Sequence, residues 1–172
     1  MTFKRLLLTG AAGALGREQL ATLRDVIAML ELRIGVEVEA AGLAANRRTP
    51  EDLATMREAL DAFSAALEAG RDAVSADFQF HLQIMRATHN RHYTNLMMSL
   101  GTMMIPRARL DPATAADEAR LSYLRRVNAE HESIYDAIAN RDAEAARAAV
   151  RTHLANSRER RRRAASLEHD DG

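Results

Sequence analysis

Apolar residues recur at steps of three and four through most of this chain, and that spacing confines it to packed helices. Leu20, Leu23, Ile27, Leu30, Ile34, Val38 and Ala41 trace one stripe, the pattern of a helix with one face turned to a core. Only 4% of residues are aromatic and none is Trp. The core must therefore be built from Leu, Ala, Ile, Val and the 8 Met. Most of these residues favour helices and interdigitate along helix ridges. A length of 172 residues suits one domain with a real core. The expectation is an all-α fold, an antiparallel bundle of about six to seven helices.

Local signals place the helices. The first runs from about residue 17 to Asn46. Thr49-Pro50-Glu51-Asp52 opens the second, with Thr49 as cap, Pro50 in the first turn and two acids at the positive end of the dipole. Leu53, Met56, Leu60, Phe63 and Leu67 form its stripe, and Gly70 stops it. A third helix is expected over about 72–89 and a fourth over about 93–104, broken by Pro106. A fifth spans about 115–139. Asn140-Arg141-Asp142 turns the chain, with Asp142 capping a sixth helix from 143 to about 163. The domain division reads as a leader over 1–16, a helical domain over 17–165 and a disordered tail over 166–172.

Formal net charge is +0, so no global field draws the chain onto nucleic acid or an anionic membrane. There is no Cys, which excludes disulfides and thiolate metal sites and fits a cytoplasmic protein. No apolar run approaches the roughly 20 residues of a membrane span, and Leu6-Leu7-Leu8 is too short for a signal peptide. The run Arg160 to Arg163 reads as a solvated helix end, and His89 and His92 as surface residues.

Four polar residues interrupt the buried stripes. On the third helix, Val74, Phe78, Leu82 and Met85 mark the inner face, and Asp77 and His81, four residues apart, share it. His131 sits among Leu124, Val127, Ile134 and Ile138 of the fifth helix. His153 shares a face with Ala146, Ala149 and Val150 of the sixth. His131 lies ten residues before Arg141 and His153 twelve after it. In an antiparallel hairpin both stand about 15–18 Å from the turn. Buried imidazoles and carboxylates are costly unless paired or bound. Three imidazoles and one carboxylate suit Zn first, then Ni, Co, Mn or Fe(II), with positions left for water or ligand. A hydrogen-bonded polar network without metal explains the same spacing.

Residues 3–9 read as a short strand, followed by Gly10-Ala-Ala-Gly13-Ala-Leu-Gly16. This stretch resembles the start of a uronate-dehydrogenase-type short-chain dehydrogenase, where glycines admit a pyrophosphate to a helix N-terminus. The second strand and its acidic residue, which a dinucleotide site needs, do not follow. A truncation, a fusion scar or a misassigned start is the preferred origin.

A second resemblance covers most of the chain. It is carried by residues 30–41 (Leu30-Glu-Leu-Arg-Ile-Gly-Val-Glu-Val-Glu-Ala-Ala), Asp77-Phe-Gln-Phe-His81, Ala87-Thr-His-Asn90, Glu130-His131 and His153-Leu154. These segments resemble the FCD domain, the effector-binding C-terminal domain of FadR-type GntR transcription regulators. The resemblance implies a divalent metal on Asp77, His81, His131 and His153, inside a helical bundle. It implies a small carboxylate or sugar acid beside the metal, with Arg33 as a carboxylate clamp and Asn90 and Arg107 as further ligand-binding candidates. It also implies a homodimer. Residues 101–107 look most like members associated with hexuronate metabolism. Those regulators carry a winged helix-turn-helix before this domain, and only about 20 residues precede the first bundle helix here. DNA contact is therefore expected only through a winged-helix domain absent from the chain.

The expected function is sensing, not catalysis. The alternative is a metal-dependent enzyme of the helical-bundle type acting on a small organic acid. Against it, the sequence shows no spare buried carboxylate for a general base and no Glu-x-x-His pair.

Overall fold

The computed structural model describes the backbone of residues 3–108 and 117–170 and the side chains of residues 24–101 and 121–163. It contains α1 (Phe3–Arg47), α2 (Pro50–Glu68), α3 (Val74–Ala87), α4 (Arg91–Ala108), α5 (Asp117–Ala139) and α6 (Ala143–Asp170). No strand occurs among the described residues.

The all-α bundle is as expected, with three differences in extent. The strand expected over residues 3–9 is helix, continuous with the rest of α1. A strand needs a partner for its backbone groups, and the described residues offer none, whereas a helix satisfies them internally. Pro106 does not end α4, which runs two residues further. So near a helix end, a proline forfeits one backbone bond and few others depend on it. α6 continues as helix to Asp170, past the boundary at 165.

Helix ends follow the sequence signals. Thr49 Oγ1 accepts from Asp52 N at 3.1 Å, and Asp52 Oδ2 accepts from Thr49 N at 2.8 Å. This reciprocal box satisfies two donors that the first turn of α2 leaves unpaired. Thr49→Ala should cost about 1 kcal/mol, read as a fall of roughly 2–4 °C in melting temperature; an unchanged midpoint would show the box to be idle. Gly70 takes a positive φ of 63° just beyond α2, which a residue with a Cβ adopts only with strain. Asp142 Oδ1 accepts from Ala145 N at 2.9 Å and caps α6.

α1 packs most extensively along α6, and α5 and α6 form the tight hairpin expected of the turn at 140–142. Small residues permit the close approach: Ala40, Ala41, Ala44 and Ala45 on α1 and Ala146 on α6 are fully buried. α2 lies against α3 and α5, while α3 also touches α1 and α4. Met56 and Leu60 of α2, Phe80 and Ile84 of α3, Ile134 and Ile138 of α5, and Val150 and Leu154 of α6 share one core with α1. Leu82 and Met85 of α3 join a second cluster with Ala40 and Met97. α3 is thus buried on two sides. The sequence stripe captured Leu82 and Met85 but not Phe80 and Ile84. His81 lies between the two sets.

Candidate metal centre

α3, α5 and α6 bring Asp77, His81, His131 and His153 together: one ligand atom from each lies within 4.8 Å of the others. The ring centroids of His131 and His153 are 4.6 Å apart, and those of His81 and His153 5.2 Å. The two histidines of the α5–α6 hairpin thus stand at the same level, as the count from the turn expects, with their rings tilted at 56°. The three imidazoles are buried, and Asp77 is the member open to solvent, with 31% of its side chain exposed. Phe63 and Phe80 wall His131 at centroid distances of 5.1 and 4.8 Å.

Two carboxylates that the sequence reading did not assign orient the rings. His81 Nδ1 donates to Glu37 Oε2 at 2.6 Å, and His153 Nδ1 donates to Glu130 Oε2 at 2.8 Å. Glu37 is also paired with Arg33 on the same face of α1. Glu130 accepts in addition from Asn156 Nδ2 at 2.7 Å. Glu37 is buried and Glu130 partly buried, and each is held by an imidazole, so neither is a spare carboxylate.

The chemistry of the donors tests whether a cation fits. An ionised carboxylate only accepts, so each Nδ1 carries the ring proton. With both rings neutral, as metal ligation requires, the Nε2 atoms of His81 and His153 are lone pairs, and they face one another at 3.3 Å. Two lone pairs at that distance repel, and a shared cation removes the conflict. A separation of about 3.3 Å is also the edge of a tetrahedron with metal–nitrogen bonds of about 2.0–2.1 Å. His131 adds a second observation. Both of its ring nitrogens are buried without a hydrogen-bond partner, and Nε2 stands 3.3 Å from Asp77 Oδ1 without hydrogen-bond alignment. Buried polar atoms left unpaired are rare and call for an explanation such as an ion. The four residues fit a divalent metal.

The electrostatics keep the donors in their binding forms. Burial would raise the Asp77 carboxyl, but His131, His81 and Arg33 outweigh it and hold it below the usual carboxylate range. Burial would likewise raise Glu37, yet Arg33 and His81 bring it down to about 2. Burial lowers the His131 imidazole and pushes His153 down to about 4, against the pull of Glu130. An unfolded histidine titrates near 6.5. Between those two values the unfolded chain binds a proton that the folded ring refuses, so stability falls as pH falls. In chelator, the protein should lose about 2 kcal/mol from His153 alone between pH 7 and pH 5. Urea unfolding at the two pH values measures this, and equal midpoints would contradict a buried neutral ring.

The remaining sequence candidates are placed differently. Arg33 is buried, and its Nε and one terminal nitrogen face Glu37. Its other terminal nitrogen has no hydrogen-bond partner among the described residues. Asn90 sits in the α3–α4 turn, where its Oδ1 accepts from His92 N at 3.1 Å and caps α4. Arg107 belongs to α4, but its side chain lies outside the described residues.

Residues 28–156, which include all four cluster residues, match the family described as the FCD domain. The chain belongs to the FCD domain family. Among curated proteins it is 33% identical over 132 residues to the HTH-type transcriptional regulator LutR of Bacillus subtilis (strain 168), covering 77% of this chain and 60% of that protein. It is 31% identical over 137 residues to the galactonate operon transcriptional repressor of Escherichia coli (strain K12), covering 80% of this chain and 58% of that protein. The chain thus spans about three fifths of the length of these regulators. A solved structure titled Streptococcus agalactiae GntR superposes with a TM-score of 0.65 at 21% identity, covering 80% of this chain and 60% of that one. It shares the FCD fold described here.

Proposed function

We propose that this FCD domain is the effector-sensing part of a GntR-type transcription regulator. In this reading Asp77, His81, His131 and His153 hold a divalent metal, and a small carboxylate or sugar acid binds beside it. The observation that carries the reading is the convergence of four metal-ligand side chains, with the Nε2 atoms of His81 and His153 facing one another at 3.3 Å. The similarity to a galactonate operon repressor supports a sugar acid as the effector. A bound divalent ion supplies positive charge and open coordination positions to an anion. Asp77, the partly exposed member of the cluster, marks the side from which an acid enters, and Arg33 contributes a guanidinium to the same wall. The narrower expectation of a hexuronate-related acid rests on residues 101–107, whose side chains beyond Gly101 lie outside the described set.

Sensing requires only that the acid prefer one of two helix arrangements, typically by about 1–3 kcal/mol. In a homodimer that preference changes the spacing of winged-helix domains outside this stretch, and so controls DNA binding in the cytoplasm. Catalysis is not invoked: Glu37 and Glu130 are each engaged by an imidazole and neither is free to activate water. No helix among the described residues is long and apolar enough to cross a membrane.

Protein isolated without chelator should carry about one equivalent of metal, most readily zinc. Calorimetry should then show it binding galactonate and releasing it unchanged. Arg33→Met should weaken that binding at least about tenfold, because a charge-assisted contact is lost. Metal-free protein, or conversion of the acid to a product, would sink the reading.

A further inference from the structure

Among the described residues of α1, Glu37 is the most buried charged side chain, 2% exposed, and it lies outside the four-residue cluster. Both of its oxygens are committed. Oε1 accepts from Arg33 Nε, while Oε2 accepts from Arg33 Nη2 at 3.3 Å and from His81 Nδ1 at 2.6 Å. It lies one turn along α1 from Arg33. A carboxylate is a costly way to fill space in such a place, and an apolar residue of equal size would pack as well. What sets it apart from an apolar residue is the pair of partners it holds, Arg33 and His81.

The geometry points to Glu37 as a positioning residue of the centre, one that fixes the tautomer and orientation of His81 while holding Arg33 in the same wall. This rests on the metal reading given above. A neutral imidazole carries its proton on either nitrogen. The bond to Glu37 keeps it on Nδ1, which leaves the Nε2 lone pair turned to the cluster. Carboxylates behind metal-bound histidines act in this way, and their loss commonly costs about 10–100-fold in metal affinity. His131 is the internal contrast. It has no acceptor on either nitrogen and is held by ring packing against Phe63 and Phe80. His81 is held by a bond. One carboxylate thus sets a cluster imidazole and aligns the guanidinium beside it.

Glu37→Leu by itself strands a buried guanidinium, so the test is made in an Arg33→Met background. There, Glu37 is compared with Glu37→Gln and Glu37→Leu. Gln and Leu have similar volumes, but only Gln offers His81 an acceptor, so a packing role does not separate them. Zinc affinity is measured by chelator competition. The His81 tautomer is read by nitrogen–proton correlation in the metal-free protein. The Leu variant should bind zinc about 10–100-fold more weakly than its parent, with the His81 proton no longer confined to Nδ1. The Gln variant should keep the Nδ1 proton and recover most of the affinity. Equal zinc affinity in the Leu variant, or an unchanged tautomer, overturns the assignment. If the wild-type protein takes up no zinc, the metal reading fails, and the tautomer measurement alone then decides the role of Glu37.

Discussion

Chelation should lower the melting temperature of the isolated protein by about 10 °C, and His131→Leu should abolish that difference. A ligand present at about a thousand times its dissociation constant adds about 4 kcal/mol to stability. For a domain of this size each kcal/mol is worth roughly 2–4 °C. The variant carries the sharper half of the prediction. Metal-free His131 buries two ring nitrogens with no aligned hydrogen-bond partner, Asp77 standing 3.3 Å from one of them, a cost of about 1–3 kcal/mol. Leucine fills the space between Phe63 and Phe80 without that cost. His131→Leu should therefore melt at a higher temperature than wild type when both are in chelator, and at a lower one when both are in zinc. This crossing is what a residue kept for binding at the expense of stability should show. A variant less stable than wild type in chelator would mean that the imidazole is structural.

Much of this centre could be read before the fold was known. Counting from Arg141 sets His131 and His153 opposite each other, because a tight hairpin converts sequence offset into height. Asp77 and His81 followed from a four-residue step on one helix face. Glu37 and Glu130 were not found, for different reasons. Glu31, Glu37 and Glu39 crowd one stretch of α1, and only the phase of the helix separates the buried one from its neighbours. The signal was available: Glu37 stands four residues after Arg33 and seven after Leu30, on the inward stripe. Glu130 lies at the edge of the α5 stripe, and its partner is 23 residues away across the hairpin. Its role appears only once α5 and α6 are set side by side. Phe80 and Ile84 escaped because a single stripe describes a helix with one buried face, and α3 has two.

Glu37→Leu alone should destabilise the metal-free protein by about 3–5 kcal/mol, whereas Arg33→Met combined with Glu37→Leu should cost only the roughly 1–3 kcal/mol of a His81 Nδ1 donor left without its acceptor. The single change leaves the Arg33 guanidinium buried with its principal partner gone. A charge in that position is out of water and is left only the weaker pull of the Asp77 carboxylate. The double change removes both charges and replaces them with apolar groups of similar volume, and the desolvation cost of each disappears with it. The coupling between the two substitutions should therefore be several kcal/mol, far outside the roughly 0.3–0.5 kcal/mol within which independent sites add. Urea unfolding of the four proteins in chelator closes the cycle. Additive effects would mean that the pair is loosely solvated and that Glu37 is free to leave Arg33. Strong coupling, joined to weakened zinc binding in the double variant, would mean that the pair is kept for the centre it supports, since the apolar replacement costs the helices less than either single change.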